Sequence, residues 1–208
     1  VAWAWDGGTS TVSNTDGSVT TSVRANPAAG FSIVGWSGHG SGSATVGHGL
    51  NAAPELIILK GRTNAGAWVV GSDYIGWGNR LELNTASASS SASADFNSTA
   101  PTSSVFTVGS NQGSGNKIAY CFAPVAGYSA FGSYTGNGSS DGTFVFTGFK
   151  VRFLIIKQYD GTNGWFMWDT ERDSINPNTA LFSANASNAE QSQANHAIDF
   201  LSNGFKTR

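Results

Sequence analysis

The chain has 208 residues, of which 12 % are charged, and a formal net charge of −2. That near-neutral balance leaves no basic footprint for nucleic acid, and no run of about 18 apolar residues is present to cross a membrane as a helix. The single cysteine, Cys121, excludes an internal disulfide framework, and 27 glycines among many Ser, Thr and Asn point to short strands joined by polar turns.

In chain order, residues 1–6 (VAWAWD) alternate small and aromatic side chains, as a strand does. Residues 7–29 are rich in Gly, Ser and Thr and read as a linker. LIIL (56–59) is a continuous apolar run with β-branched members, which suits a strand covered on both faces. The turn GRTNAG leads from it into the Trp68 strand, a hairpin pattern. NRLELN (79–84), SSVFTV (103–108) and KIAYCF (117–122) alternate like half-buried strands. The polar stretch between the first two carries no helical apolar stripe and reads as a loop with room for one short helical turn. After a short Pro124–Ala126 linker the pattern begins again with FLII (153–156), the turn QYDGTNG and a Trp165 strand.

The second half echoes the first. Phe31 matches Tyr128, Lys60 matches Lys157 and Trp68 matches Trp165, each pair 97 residues apart, and Phe106 matches Phe205 at a spacing of 99. Self-similarity at a fixed spacing is the mark of a repeated unit. The expected fold is all-β: two tandem β-sandwich or jelly-roll-like repeats of about 95 residues. The expected boundaries are 30–126 and 127–208. Residues 1–29 form the closing strand of an upstream repeat plus a linker, because VAWAWD matches IAYCFA at 118–123. The second repeat reads as truncated before its own closing strand. An incomplete sandwich exposes unpaired backbone groups, so Val1, Ala2, Trp3, Ala4, Trp5 and Asp6 are a candidate assembly strand. They would pair in an upstream repeat, in the second repeat of the same chain, or in that of a neighbouring copy.

No catalytic or metal-binding constellation stands out. His39 and His48 lie in Gly-flanked turns nine residues apart, which is no metal spacing, and neither they nor His196 has Cys or paired carboxylates beside it. Asp169, Glu171 and Asp173 would share one strand face, a Ca²⁺ edge or acid pair, but the first half does not repeat them and Arg172 sits among them. A solvated strand end with a local ion pair explains them better. Cys121 lies in an apolar run and reads as a buried small hydrophobe. There is no G-x-S-x-G elbow and no phosphate-binding G-x-x-x-x-G-K-[ST] loop. Tyr74 and Trp77, in the Gly-rich turn DYIGWGN, are the candidate glycan or partner contacts, because exposed rings beside Asn and Asp suit sugar faces. The competing expectation is a loop Trp folded over the end of the sandwich.

GFSIV, a Gly-rich turn, VGHGL, LIILK, TAPTSSVFTVG and IAYCFAPVAGYSAFGSYTGNGSSDGTFVFTGF together resemble a repeated domain in predicted structural proteins of tailed bacteriophages, notably marine ones. VAWAWDGG followed by TVSNTDGSVT and VRANPAAGFSIV resembles the junction that precedes that domain. The resemblance covers essentially the whole chain and implies a virion setting in a fibre-like or other appendage protein, with no assigned chemistry. The expected function is a non-enzymatic structural or adhesive module of the extracellular particle: tail fibre, head fibre or capsid decoration. Its expected partners are other virion proteins, copies of itself and a host-surface glycan, with no cofactor, no nucleic acid and no membrane insertion. The alternatives are a carbohydrate-binding module and, behind it, a polysaccharide depolymerase, which needs two carboxylates facing one cleft.

Overall fold

A computed structural model describes residues 2–208. The chain divides into two compact units, the first running to Glu82 and resuming at Ser89–Val125, the second made of Leu83–Ala88 and Ala126–Arg208.

In the first unit the strands are β1 (Val12–Asn14), β2 (Thr21–Asn26), β3 (Phe31–Trp36), β4 (Ala44–Gly47), β5 (Leu56–Gly61), β6 (Val69–Ser72), β7 (Asn79–Glu82), β8 (Ser90–Ser91), β9 (Val105–Val108) and β10 (Lys117–Phe122), with a single helical turn, α1 (Ser93–Phe96), before β9. Eight of them form one antiparallel sheet in the order β1-β2-β3-β10-β5-β6-β7-β8, and β4 pairs with β9. Alternation decides which side chains enter the core. Ala119 and Cys121 of β10, Ile57 and Leu59 of β5 and Val34 of β3 meet Val46, Phe106 and Val108 from the small sheet, all at 1 % exposure or less. Each such aliphatic or aromatic side chain contributes about 1.5–3 kcal/mol by leaving water. This is a sandwich-like all-β arrangement.

Residues 7–29 are not a plain linker: they contain β1 and β2. Thr21 and Val23 turn inward at 2 % and 1 % exposure. Ser22 and Arg24 turn outward, and Arg24 donates to the Gly8 carbonyl from Nε at 2.9 Å and Nη2 at 2.7 Å. The polar composition concealed an alternating strand that runs along β3. The candidate assembly strand at 1–6 makes no intrachain pairing among the described residues. Ala2–Asp6 join no ladder in this structure, and Val1 lies outside the described residues. Trp5 instead lies across Phe31 and Phe122, with ring centroids 6.4 and 6.1 Å away. The Asp6 carboxylate accepts from the Gly8 amide at 2.8 Å, a local Asx turn that bends the backbone out of an extended run.

In the second unit the strands are β11 (Phe144–Phe146), β12 (Phe153–Lys157), β13 (Trp165–Asp169), β14 (Ala180–Ser183), β15 (Gln191–Ser192), β16 (Ile198–Leu201) and β17 (Gly204–Thr207). They form a four-stranded sheet, β12-β13-β14-β15, and a three-stranded one, β11-β17-β16. Trp168 and Leu181 from the first meet Ile198, Phe200 and Phe205 from the second.

The two units share a winding. Leu59 faces Val69 across β5 and β6, and Ile156 faces Phe166 across β12 and β13, each partner displaced by 97. Arg80 faces Ser90, and Leu181 faces Gln191, displaced by 101. Val46 faces Phe106, and Val145 faces Phe205, displaced by 99. The step from 97 to 101 is absorbed in one place, the longer connection at 170–179 compared with 73–78. Lys60 and Lys157 sit alike near the ends of β5 and β12, whereas Phe31 starts β3 and Tyr128 lies in no strand. Among the described residues β12 ends its sheet, whereas β5 lies between β10 and β6.

Candidate functional site

The first unit holds a polar cavity of about 290 Å³ beside β10. Its wall carries Arg80 and Glu82 from β7, Asp95 from α1, Asn111 and Gln112 from a 3-10 turn, and Lys117 from β10. Asp95 is 1 % exposed and fully used. It accepts from Arg80 Nη1 at 2.8 Å, Gln112 Nε2 at 2.8 Å and Asn111 Nδ2 at 3.2 Å. Arg80 Nη2 reaches Glu82 Oε1 at 3.0 Å. Such a network makes a buried carboxylate tolerable, since each oxygen is met by a donor.

Lys117 stands apart. It occupies the inward phase of β10, with Ala119 and Cys121, and is 7 % exposed. Its ammonium lines the cavity. Burial pushes its pKa down; Asp95 opposes that shift and Lys60 adds to it. An ammonium that lines a cavity offers up to three donors, and a ligand oxygen there gains a charge-assisted bond. The asparagine and glutamine amides add donors and acceptors around it. In the second unit the register puts Leu181 where Arg80 stands, at 0 % exposure. A sheet of this winding is therefore built without the polar cluster.

The aromatic pair expected as a sugar platform is not brought together. Trp77 is 6 % exposed, stacks edge-on against Phe96 with centroids 5.3 Å apart, and donates its indole N–H to Asp73. Gly71 makes the space: a methyl there would lie 2.6 Å from the Phe96 ring and 2.8 Å from the Trp77 ring. Trp77 is thus a core residue, the loop Trp folded inward. Tyr74 remains 40 % exposed, its hydroxyl donating to Glu55 Oε2 at 3.0 Å. Burial, and then that bond to Glu55, raise its pKa.

Asp169, Glu171 and Asp173 do not share a face. Asp169 is 4 % exposed and holds Arg172 Nε at 2.6 Å. Burial pushes its carboxyl upward, but the Arg172 guanidinium and the amides of Arg172 and Glu171 hold it below the usual range. Glu171 extends into solvent toward Arg152, and Asp173 caps the amides of Ile175 and Thr179. All three have structural partners. His48 is fully buried, with Nδ1 accepting from the Leu50 amide at 3.2 Å and Nε2 3.1 Å from the Thr102 carbonyl, which fixes a neutral ring with the proton on Nε2. Burial lowers its pKa against smaller opposing effects of Thr102 and Asp16. His39 lies in its turn, and His196 packs on Phe166 at 4.7 Å. Cys121 is fully buried, which pushes its thiol up to about 12.

Sequence reasoning missed the Asp95–Lys117 cavity. Its members come from four separate segments, and the one local signal was a lysine on the inward phase of an alternating strand.

The whole chain, residues 1–208, matches the model of a domain of unknown function (DUF7483), and the chain belongs to that family. No curated protein and no solved structure matches it.

Proposed function

We propose that the chain is a non-enzymatic structural and adhesive module of a bacteriophage particle, acting in a tail fibre, head fibre or capsid decoration. The supporting observation is the common register of β5–β8 and β12–β15 at near-constant spacing, which favours two tandem copies of one sandwich unit. Tandem units extend a surface and multiply weak contacts, because a second contact made through a short tether is effectively intramolecular. Low charge and Gly-rich polar turns suit such a surface. The resemblance of its motifs to repeated phage structural domains supplies the setting, with other virion proteins, copies of the same module and a host-surface glycan as partners. Antibodies raised against the chain and imaged on intact particles test this. Label on an appendage or on the capsid surface is expected; label on none of the particle, with the protein found only in lysed host cells, overturns it.

A second reading is favoured by one observation, the Lys117 ammonium lining a polar cavity beside two side-chain amides. The first unit would then bind a sugar ring, with Lys117 and the amides of Asn111 and Gln112 taking its oxygens. The volume lies at the small end for ligand pockets, which start at about 300 Å³, so one ring fits and an extended chain does not. Titrating the chain with glucose, galactose and glucuronate under NMR observation tests it. Shifts confined to this cavity and abolished in Lys117→Met support it, and unchanged spectra with all three sugars reject it.

A further inference from the structure

In the second unit β11 pairs with β17 on one side. The Thr147 amide donates to the Asn203 carbonyl at 3.0 Å, and the Thr207 amide to the Thr143 carbonyl at 3.1 Å. Residues 143, 145 and 147 thus direct their main-chain groups at β17, and in an antiparallel ladder the alternate residues, Phe144 and Phe146, turn theirs the other way. Among the described residues no ladder or bridge uses that side of β11. In the first unit the matching side of β4 is taken. Val46 faces Phe106 as Val145 faces Phe205, and beside Val46 the Val19 amide donates to the Thr45 carbonyl at 3.3 Å and the Thr21 hydroxyl to the Gly47 carbonyl at 3.2 Å.

The residues at the open edge differ in kind from those at the covered one. Where the first unit has Thr45 and Gly47, the second has Phe144 and Phe146, 45 % and 68 % exposed. Val145 between them packs inward against the core. The sequence around Val145 is a palindrome: GTFVFTG (142–148) reads the same in both directions. Asp141 stands just before it and Lys150 just after it, both exposed. A palindromic strand is its own complement when a second copy runs antiparallel to it, since every residue then faces one of its own type.

We infer that this edge is a contact between two copies of the chain, in which β11 lies antiparallel along the β11 strand of a second copy about a two-fold axis at Val145. Phe144 then faces Phe146 of the partner subunit, Phe146 faces the partner's Phe144, and each pair exchanges both of its main-chain bonds. The four rings gather on the outward face as cross-strand aromatic pairs, which stabilise a ladder. At both ends Asp141 comes toward Lys150 of the partner subunit, so the charges complement each other. Any strand supplies backbone bonds; a second copy also supplies rings and opposite charges at matched places. A three-residue strand pair is a small contact, at the low end of interfaces, whose standard size starts at about 1,200 Å². It is therefore weak alone and gains strength where copies are held close together. The inference deepens the proposed partnership between copies of the module and rests on that part of the reading alone, so its failure and a failure to find the chain on phage particles are separate results.

The test uses the full chain, its self-association followed by analytical ultracentrifugation from micromolar to millimolar concentration, and its amide exchange read by NMR at both ends of that range. Three variants accompany it: Phe144→Lys, Phe146→Glu and the two together. Both side chains are exposed, and unchanged β16–β17 signals show that each variant is folded. A monomer–dimer equilibrium is expected for the parent chain, with exchange at the Phe144 and Phe146 amides slowed tenfold or more in the concentrated sample. Each single change should weaken association about tenfold, because a charge then faces a phenylalanine ring. The double change should restore it, because in the two-fold register each new lysine faces a new glutamate of the other copy. A parent chain that stays monomeric at millimolar concentration overturns the inference. So does association that both single variants retain, or that protects other strands and leaves Phe144 and Phe146 unprotected. Association lost in the single variants and not regained in the double one overturns the two-fold register, and the inference with it.

Discussion

Leu59 and Ile156 hold matching places in the hairpins β5–β6 and β12–β13, 97 residues apart, and differ in the strands that flank them. Leu59 lies between Ala119 and Val69, and Ile156 faces Phe166 alone. Leu59 is 1 % exposed, and Ile156 is half-buried. Truncating the two side chains should therefore cost unequal amounts. Leu59→Ala is expected to destabilise the first unit by about 2–5 kcal/mol, the range for an emptied core site. Ile156→Ala is expected to cost the second unit roughly 1 kcal/mol. Urea unfolding followed residue by residue by NMR separates the two units and gives both values.

Asp95 is a hub with three donors around it. Asp95→Ala strands the partly buried Arg80 guanidinium and two amides, and since breaking a fully buried pair from one side costs about 3–5 kcal/mol, a loss toward the low end of that range is expected. A further Arg80→Leu change, copying Leu181 of the second unit, is expected to restore part of that loss. A double-mutant cycle by denaturant unfolding measures the coupling.

His48 gives the chain a defined acid sensitivity. The folded state holds the ring neutral by burial, with its pKa below the ordinary value. The unfolded chain takes up the proton near the ordinary pKa of about 6.5. Stability is then fully present above that pH and falls as the pH drops through 6.5 toward the folded pKa. Melting temperatures between pH 8 and pH 5 should decline over this window, and the decline should flatten in His48→Gln, whatever that variant's stability at pH 8.

Cys121 should be inert while the chain is folded. With its thiol pushed up to about 12, almost no thiolate exists at pH 8. Mass spectrometry after iodoacetamide treatment should show no adduct on the native chain and one adduct after denaturation.

Much of the strand pattern was legible because apolar runs and alternation are local properties. LIIL and FLII became β5 and β12, and KIAYCF became β10. The stretch TSVRAN alternates just as clearly, yet its polar setting between 7 and 29 disguised it; β2 is a strand because Thr21 and Val23 have a core to enter. The turn DYIGWGN left Trp77 open between a sugar contact and a Trp folded inward, because its burial depends on Phe96, far from that turn, and on the room left by Gly71. The cavity lined by Asp95 and Lys117 was not legible at all, since it exists only when α1, β7, β10 and the turn at Ser110–Gln112 are packed. Residues 2–6 join no ladder within the chain for a related reason: the pattern alone does not supply a partner strand.

The difference between a central β5 and an edge β12 is tested most directly by amide exchange across matched residues of the isolated, full-length chain, read by NMR. Every amide of Ile57–Leu59 should be strongly protected, because β5 is flanked by β6 and β10. Along Leu154–Ile156 protection should alternate, since an edge strand in an antiparallel ladder bonds only every second residue to its neighbour. Uniform strong protection of both segments in a monomeric sample would contradict the account.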